Sequence, residues 1–369
     1  MKNLILISAC FCLANAFSQT STPLVIGTYT NTGSHGIYSA HFDTLTGKIV
    51  LLDSISASNP SYVCISPNGR NVYAVSETAA DKPGSVVSFD FNGETGKLKL
   101  LNAQSSGGDH PCFVSIDALS KYVAVANYSG GSLALLPVEK MGTLKAPVQV
   151  IQRRGSGPNL QRQEKSHVHQ VIFNPKQTHV IIADLGTDEI VGYKFDSRKP
   201  LPLDTLKPKK IKVAPGAGPR HIAFHPSRTV FFVMEELSGK VSVHIFNKKR
   251  IAWVQVIEAD TISAQPGSAD IHVSPDGKFL YASNRADANN ITVFSINQNS
   301  GKLTRIAHQP VLGITPRNFV IHPSGKWLLV ANQRSNNIVV FKRDVSTGLL
   351  SPAGEELKLP SPVCLAFGQ

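Results

Sequence analysis

Apolar and polar positions along this chain follow one recurring phrase. An anchor residue, usually Pro, opens a short apolar strand, a Pro-x-Gly type turn follows, and a second apolar strand ends in polar residues. Copies read NPSYVCISPNGRNVYAVSE from Asn59, HPCFVSIDALSKYVAVANY from His110 and HVHQVIFNPKQTHVIIADL from His167. Three more begin at Gly218, Gly267 and Thr315, and a seventh opening, SPVCLAFGQ, begins at Ser361. The anchors Pro60, Pro111, Val168, Pro219, Ser268, Pro316 and Pro362 are spaced 51, 57, 51, 49, 48 and 46 residues apart. A period near 50 without a helical pattern predicts stacked sheets.

Each unit continues with a third strand, such as GSVVSFDFN or NNITVFSIN, and often a Thr-Gly-Lys-Leu-like turn into a fourth. Four short strands per repeat describe a propeller blade. The last copy stops after one strand, while LVIGTYT from Leu24 and HGIYSAHFD from His35 read as the second and third strands of a blade lacking its first. The predicted fold is therefore all-β, a seven-bladed β-propeller with four-stranded blades, its ring closed by pairing the N- and C-terminal strands. Closure removes the exposed edges of an open array. The domain reading is a leader over residues 1–18 and a single propeller domain over 19–369.

The leader reading rests on Lys2, an apolar run from Leu4 to Leu13, and small residues at Ala14, Ala16 and Ser18. That is the form of a secretory signal, too short to span a membrane. A lipoprotein signal ending at Cys10 is the alternative. The protein is thus expected to be exported, periplasmic or extracellular, with no integral membrane segment. Loss of the leader leaves Cys64, Cys112 and Cys364, an odd count among apolar neighbours that favours buried free thiols.

A formal net charge of +12 raises the question of nucleic acid. Its densest runs, around Lys207 to Lys212 and Lys248 to Arg250, fall on outer strands and turns without aromatic interleaving, so no nucleic-acid partner is expected. Attraction of small anions is the inference that remains.

First and second strands are antiparallel, so the start of one and the end of the other meet at the same mouth of the central channel. Positions serving the frame should repeat in every blade, whereas a site must break the repeat. The third residue after the anchor repeats as Val63, Val114, Val171, Ile222, Ile271, Phe319 and Leu365, and the fifth is equally apolar. The polar strand-end column of Ser76, Asn127, Asp184, Glu235, Asn284 and Asn332 also reads as structural. Two columns do not repeat. The residue after each anchor runs Ser61, Cys112, His169, Arg220, Ala269, Arg317 and Val363; the one after the strand end runs Tyr29, Glu77, Tyr128, Leu185, Glu236, Arg285 and Gln333. Four adjacent blades thus aim His169, Arg220, Glu236, Arg285 and Arg317 at one mouth, with His221 and Asp270 one step along. Salt bridges between blades are the plain reading, but the surplus of Arg suits an anionic ligand. His167 and His169 have a bare metal-like spacing with no carboxylate partner evident, so no metal and no cofactor are expected.

At this point the chain resembles the lactonase family of seven-bladed propellers, which includes propeller-type 6-phosphogluconolactonase and the fungal carboxy-muconate lactonizing enzyme. The motifs are GTYT at Gly27, RQEKSHVHQ at Arg162, DLGTD at Asp184, GPRHIAFHP at Gly218, EEL at Glu235 and SPDGKFLYASNR at Ser274. The resemblance implies His169, Arg220, Glu236 and Arg285 as catalytic residues and a metal-free opening of a sugar lactone. In that expectation Glu236 is the base on water, Arg220 and Arg285 stabilise the oxyanion, and His169 protonates the leaving ring oxygen. His167, His221, Arg317, Asp270 and Glu77 are the expected substrate-binding residues, and an anionic lactone is the expected small-molecule partner. The segment usually written NEL reads Glu235, Glu236 and Leu237 here, leaving open which Glu acts. Cycloisomerisation of muconate-type acids and a non-catalytic binding propeller are the rival functions.

Overall fold

Alternating burial along the repeated phrase produces strands everywhere it predicts them. The computed structural model describes residues 20–79, 83–227, 230–246 and 251–368, so the expected leader and the basic run Lys248 to Arg250 lie outside the described residues. Seven antiparallel sheets of four strands form the ring. Counting blades from the first copy of the phrase, the innermost strands are Val63–Ile65, Pro111–Ile116, Val168–Phe173, Pro219–Phe224, Ser268–Val273, Pro316–Ile321 and Pro362–Phe367. Six of these seven begin at the anchor residue itself, and the first begins three residues after Pro60.

The seventh blade is composite, with strand order Pro362–Phe367, Ser21–Thr28, Gly36–Asp43 and Ile49–Ser56. Leu24 pairs with Phe367, Ile26 with Leu365 and Gly27 with Cys364, so both chain ends close the ring. The only described helical turn is a 3-10 turn at Leu185–Thr187.

The core lies in the seams between blades. Seven apolar clusters fill seven seams. Phe113 and Leu133 meet Val171 and Ile182 in one; Phe232 and Met234 meet Leu280 and Phe294 in another. The third residue after every anchor is buried in these seams, and the fifth is half-buried at their channel end. The position two after the anchor staples neighbouring blades. Gln170 accepts from the Ile222 amide, Asp270 from that of Phe319 and Asn318 from that of Leu365, at 2.7, 3.3 and 2.8 Å. The strand-end column is likewise structural: Asn127, Asn284 and Asn332 donate to the carbonyls of Ser106, Ala259 and Val311.

All three described cysteines are free, Cys112 and Cys364 buried and Cys64 half-buried. Lys207, Lys209, Lys210 and Lys212 lie exposed on the outermost strand Leu203–Lys212 of the third blade, a solvated rim. Among the described residues no helix is long and apolar enough to cross a membrane.

Candidate active site

A β-bulge follows most anchors. The register between the two inner strands slips between Pro111 and Phe113, Val168 and Gln170, Pro219 and His221, and Pro316 and Asn318. The skipped residue has no ladder partner, and such a bulge re-aims its side chain. Cys112, His169, Arg220 and Arg317 occupy these skipped positions. Backbone at His110, Gly218 and Thr315, just before three of the anchors, is left-handed.

The strand-end residues and the bulges converge on a cavity of about 470 Å³. Tyr29, Glu77, Tyr128, Glu236 and Arg285 line it from strand ends, and Cys112, His169 and Arg317 from bulges. Arg162 reaches in from the long loop before the third blade, and Gly267 completes the wall. The volume is that of an ordinary small-ligand pocket.

Glu236 is the electrostatic centre. Arg220 Nε lies 2.8 Å from its Oε2, while Arg285 Nη2 and Arg162 Nη2 lie 3.2 and 2.7 Å from Oε1. Burial pushes the carboxyl up, but the guanidiniums of Arg285, Arg220 and Arg162 outweigh it and hold Glu236 well below the usual carboxylate range. Burial in turn brings Arg285 down to about 10 against the pull of Glu236. Glu235 stands apart from the cavity, accepting from Ser238 Oγ at 2.8 Å, and burial raises its carboxyl. The carboxylate that enters the cavity is therefore that of Glu236. Opposite, Arg317 Nη2 donates to Tyr29 Oη at 2.8 Å, and that hydroxyl donates to Glu77 Oε2 at 2.8 Å.

Beneath this layer lies a second. Arg220 is only 2 % exposed and does not line the larger cavity; Glu236 stands between. Its Nη1 donates to the Ala269 carbonyl at 2.6 Å and to His221 Nε2 at 3.2 Å. His221 Nδ1 meets Asp270 Oδ1 at 2.7 Å, and His272 Nε2 meets Asp270 Oδ2 at 3.0 Å. The Asn318 amide donates to the same oxygen. Burial raises the Asp270 carboxyl, but His272 and His221 outweigh it and hold it well below the carboxylate range. Burial, then Arg220, brings His221 down to about 4, so it is neutral. Burial and the cations Arg220 and Arg317 likewise drive His169 well below the usual imidazole range.

Three of the expected substrate contacts are not among the residues lining the larger cavity. Asp270 is enclosed by its own partners, and His221 is held between Asp270 and Arg220 below the floor. His167 stacks on Tyr128 with ring centroids 4.4 Å apart and turns Nε2 to Glu164 at 3.1 Å, away from the cavity lining. Glu77, Arg317, His169, Glu236 and Arg285 do line the cavity, and Arg220 supports it from below.

Three motifs that are separate in sequence prove to be one clamp. Asp184 accepts from Ser166 Oγ at 2.8 Å and from the His167 amide at 2.9 Å. Asp188 accepts from Gln163 Nε2 and the Gly218 amide, both at 2.8 Å. The DLGTD segment thus pins the loop bearing Arg162 and the strand bearing Arg220.

Residues 23–367 match the family described as lactonase, 7-bladed β-propeller. A 6-phosphogluconolactonase of Formosa agariphila is 40% identical over 87% of this chain and 92% of its own. One from Bacillus subtilis is 37% identical over 93% and 97%. The chain belongs to the seven-bladed β-propeller lactonase family. Among solved structures, a Pseudomonas aeruginosa periplasmic gluconolactonase superposes with a TM-score of 0.89 at 32% identity, covering 95% of this chain and 99% of that one. A Bacteroides fragilis protein solved as a candidate 6-phosphogluconolactonase superposes with a TM-score of 0.91 at 38% identity, covering 96% and 99%.

In this lactonase-family propeller Arg162, Tyr29 and Tyr128 join the site beyond the residues expected from the sequence. Both tyrosines stand in the non-repeating strand-end column and Arg162 opens the RQEKSHVHQ motif, so the signals were present. A tyrosine at a strand end reads as packing until a neighbour from another blade is seen to bond its hydroxyl. Arg162 Nη2 lies 3.3 Å from Tyr128 Oη and bridges to Glu236, which stands 74 residues further on.

Proposed function

We propose that this protein hydrolyses a sugar lactone carrying an anionic group, a 6-phosphogluconolactonase-like activity. The observation that carries the reading is the charge of the site. Arg162, Arg285 and Arg317 line the cavity of about 470 Å³ with Glu236 and Glu77, three cations against two carboxylates, and Arg220 pairs with Glu236 from below. Such a surplus, with guanidinium forks able to hold phosphate or carboxylate, favours an anionic ligand over a neutral one. The names of the bacterial relatives agree with this reading.

In the free site Glu236 is too tightly paired to be a strong base. An arriving anion competes for Arg162, which is the most exposed of its partners at 43 %, and frees the carboxylate to accept a proton from water as water attacks the carbonyl carbon. Arg285 stabilises the oxygen that takes the charge. Neutral His169 is not an acid able to give up its proton near pH 7, so its part is a hydrogen bond to the ring oxygen. When the ring C–O bond breaks, the proton held by Glu236 passes to the leaving oxygen, and the product is the hydroxy acid. Arg220, held by His221 and Asp270, positions Glu236. We further place the protein outside the cytoplasm on the form of residues 1–18, in keeping with the periplasmic name of the Pseudomonas relative.

A pH-indicator assay over phosphorylated sugar lactones, free aldonolactones and muconolactones tests this reading, with Arg220→Ala as the control against spontaneous opening. Faster opening of the phosphorylated lactones is expected. Turnover no faster than the control on every lactone overturns hydrolysis, and preference for neutral aldonolactones overturns the anionic substrate.

A further inference from the structure

Next to the cavity, and sharing Cys112, His169 and Arg317 with it, is a second space of about 10 Å³. Ser61, His169, Arg220, His221, Arg317 and Asn318 contribute to its wall. A single water needs about 10–15 Å³ measured this way and two to four polar partners. Three buried polar atoms on these residues make no hydrogen bond: Ser61 Oγ, His169 Nδ1 and Arg220 Nε. Arg220 Nε is near Glu236 Oε2 but its N–H is not aligned on it. Native proteins rarely leave such atoms unmet.

We propose that this space is a specific site for one ordered water, and that the water fixes which nitrogen of His169 carries the proton. The direction of each bond follows from the neighbours. Arg220 and Arg317 can only donate, so the water oxygen accepts from them. His221 has no open acceptor for its hydrogens, and Asn318 Oδ1 already has a donor. His221 Nδ1 faces Asp270 and its Nε2 accepts from Arg220 Nη1, while Asn318 Oδ1 accepts from the Leu365 amide. Ser61 Oγ and His169 Nδ1 are the acceptor-capable side-chain atoms of this wall with no partner at all, so the two water hydrogens go to them. An accepting Nδ1 places the proton of the neutral ring on Nε2. His169 borders both spaces; with Nδ1 taken by the water, Nε2–H is the donor left for a ligand in the larger cavity. That donor is the one the hydrogen bond to the lactone ring oxygen requires; this use rests on the hydrolase reading, whereas the water and the tautomer do not.

Two measurements on the full chain without substrate test the proposal. A crystal structure at a resolution that shows ordered solvent should contain one water in contact with Ser61 Oγ and His169 Nδ1. Histidine 15N spectra near pH 7, with His169 assigned through His169→Gln, should show Nδ1 unprotonated and Nε2 protonated. Ser61→Val fills the space and should expel the water and populate both tautomers. An empty space, a protonated Nδ1, or a Ser61→Val protein that keeps the wild-type His169 spectrum overturns the proposal. The wild-type measurements decide it even if Ser61→Val fails to fold. A protein that passes both yet opens no lactone refutes the hydrolase reading alone.

Discussion

Gln163 donates from Nε2 to Asp188 Oδ1 at 2.8 Å, and the same oxygen takes the Gly218 amide at 2.8 Å. Gln163 adjoins Arg162 in the loop and Gly218 lies two residues before Arg220. One carboxylate oxygen therefore sets the positions of two of the guanidiniums that hold Glu236. Gln163 is wholly buried, and its amide also donates to the Leu185 carbonyl at 2.8 Å.

Gly186 should be as sensitive as any cavity residue although it touches no ligand. A Cβ there would stand 1.8 Å from the Lys165 carbonyl oxygen and 2.7 Å from the His167 amide, both backbone. Gly186→Ala must lift the loop and carry Arg162 away from Glu236. We expect kcat/KM to fall by about tenfold or more, and the melt to show a loss of about 1–3 kcal/mol, the usual cost of overpacking. Wild-type kinetics in a folded Gly186→Ala protein would refute the coupling of loop to site.

Replacing Glu236 by Gln removes the carboxylate from among three guanidiniums. Turnover should fall by roughly 10²–10⁴-fold, the usual contribution of a general base. The unpaired cations should also destabilise the fold by about 3 kcal/mol, as when one member of a buried pair is lost. Inorganic phosphate should then raise the melting temperature of Glu236→Gln more than that of the wild type, since it supplies the missing anion. Unchanged turnover would remove Glu236 from the chemistry.

Stability should fall as pH drops from 7 to 4. His244 lies buried in strand Lys240–Phe246, stacked on Phe231 at 4.9 Å, and burial brings it down to about 4. Its folded value lies below the ordinary imidazole value of about 6.5, so the unfolded chain binds the proton first. The stability of the neutral form is present above about pH 6.5 and is lost as pH falls toward 4. His221, also near 4 when folded, adds to the same slope. His244→Phe should flatten thermal melts across this window by up to about 1.4 kcal/mol per pH unit; an unchanged slope would show that His244 is not buried neutral.

Deleting residues 362–369 should abolish cooperative unfolding. Strand Pro362–Phe367 is the innermost of its blade, and its Leu365 amide bonds Asn318 Oδ1 in the blade beside it. Fusing the same segment ahead of Ser21 through a turn should restore the melt, because the strand pairs antiparallel with Ser21–Thr28 whichever end supplies it. Cooperative melting of the truncated chain would contradict closure by this strand.

Much of the fold was legible along the chain. The anchors predicted the innermost strands because alternation of apolar and polar side chains is a local property that a seam between sheets enforces in every blade. The non-repeating columns predicted His169, Glu236, Arg285, Arg317 and Glu77 at the mouth, since identical geometry in each blade leaves side-chain identity as the only variable. What the chain by itself could not determine is depth. Arg220 and Arg285 read alike as charged residues on inner strands, yet one is 2 % exposed beneath Glu236 and the other faces the cavity. His221 and Asp270 read as ligand contacts along the chain, whereas in the fold they bond to each other, and Asp270 to Asn318, across neighbouring blades. Which of two adjacent glutamates enters the cavity, which nitrogen of an imidazole is free and whether Arg162 reaches the site all depend on atoms brought together from different blades. Those contacts are nonlocal, and only ring closure sets their distances; the repeat determines the frame, and the packing of one blade on the next decides the chemistry.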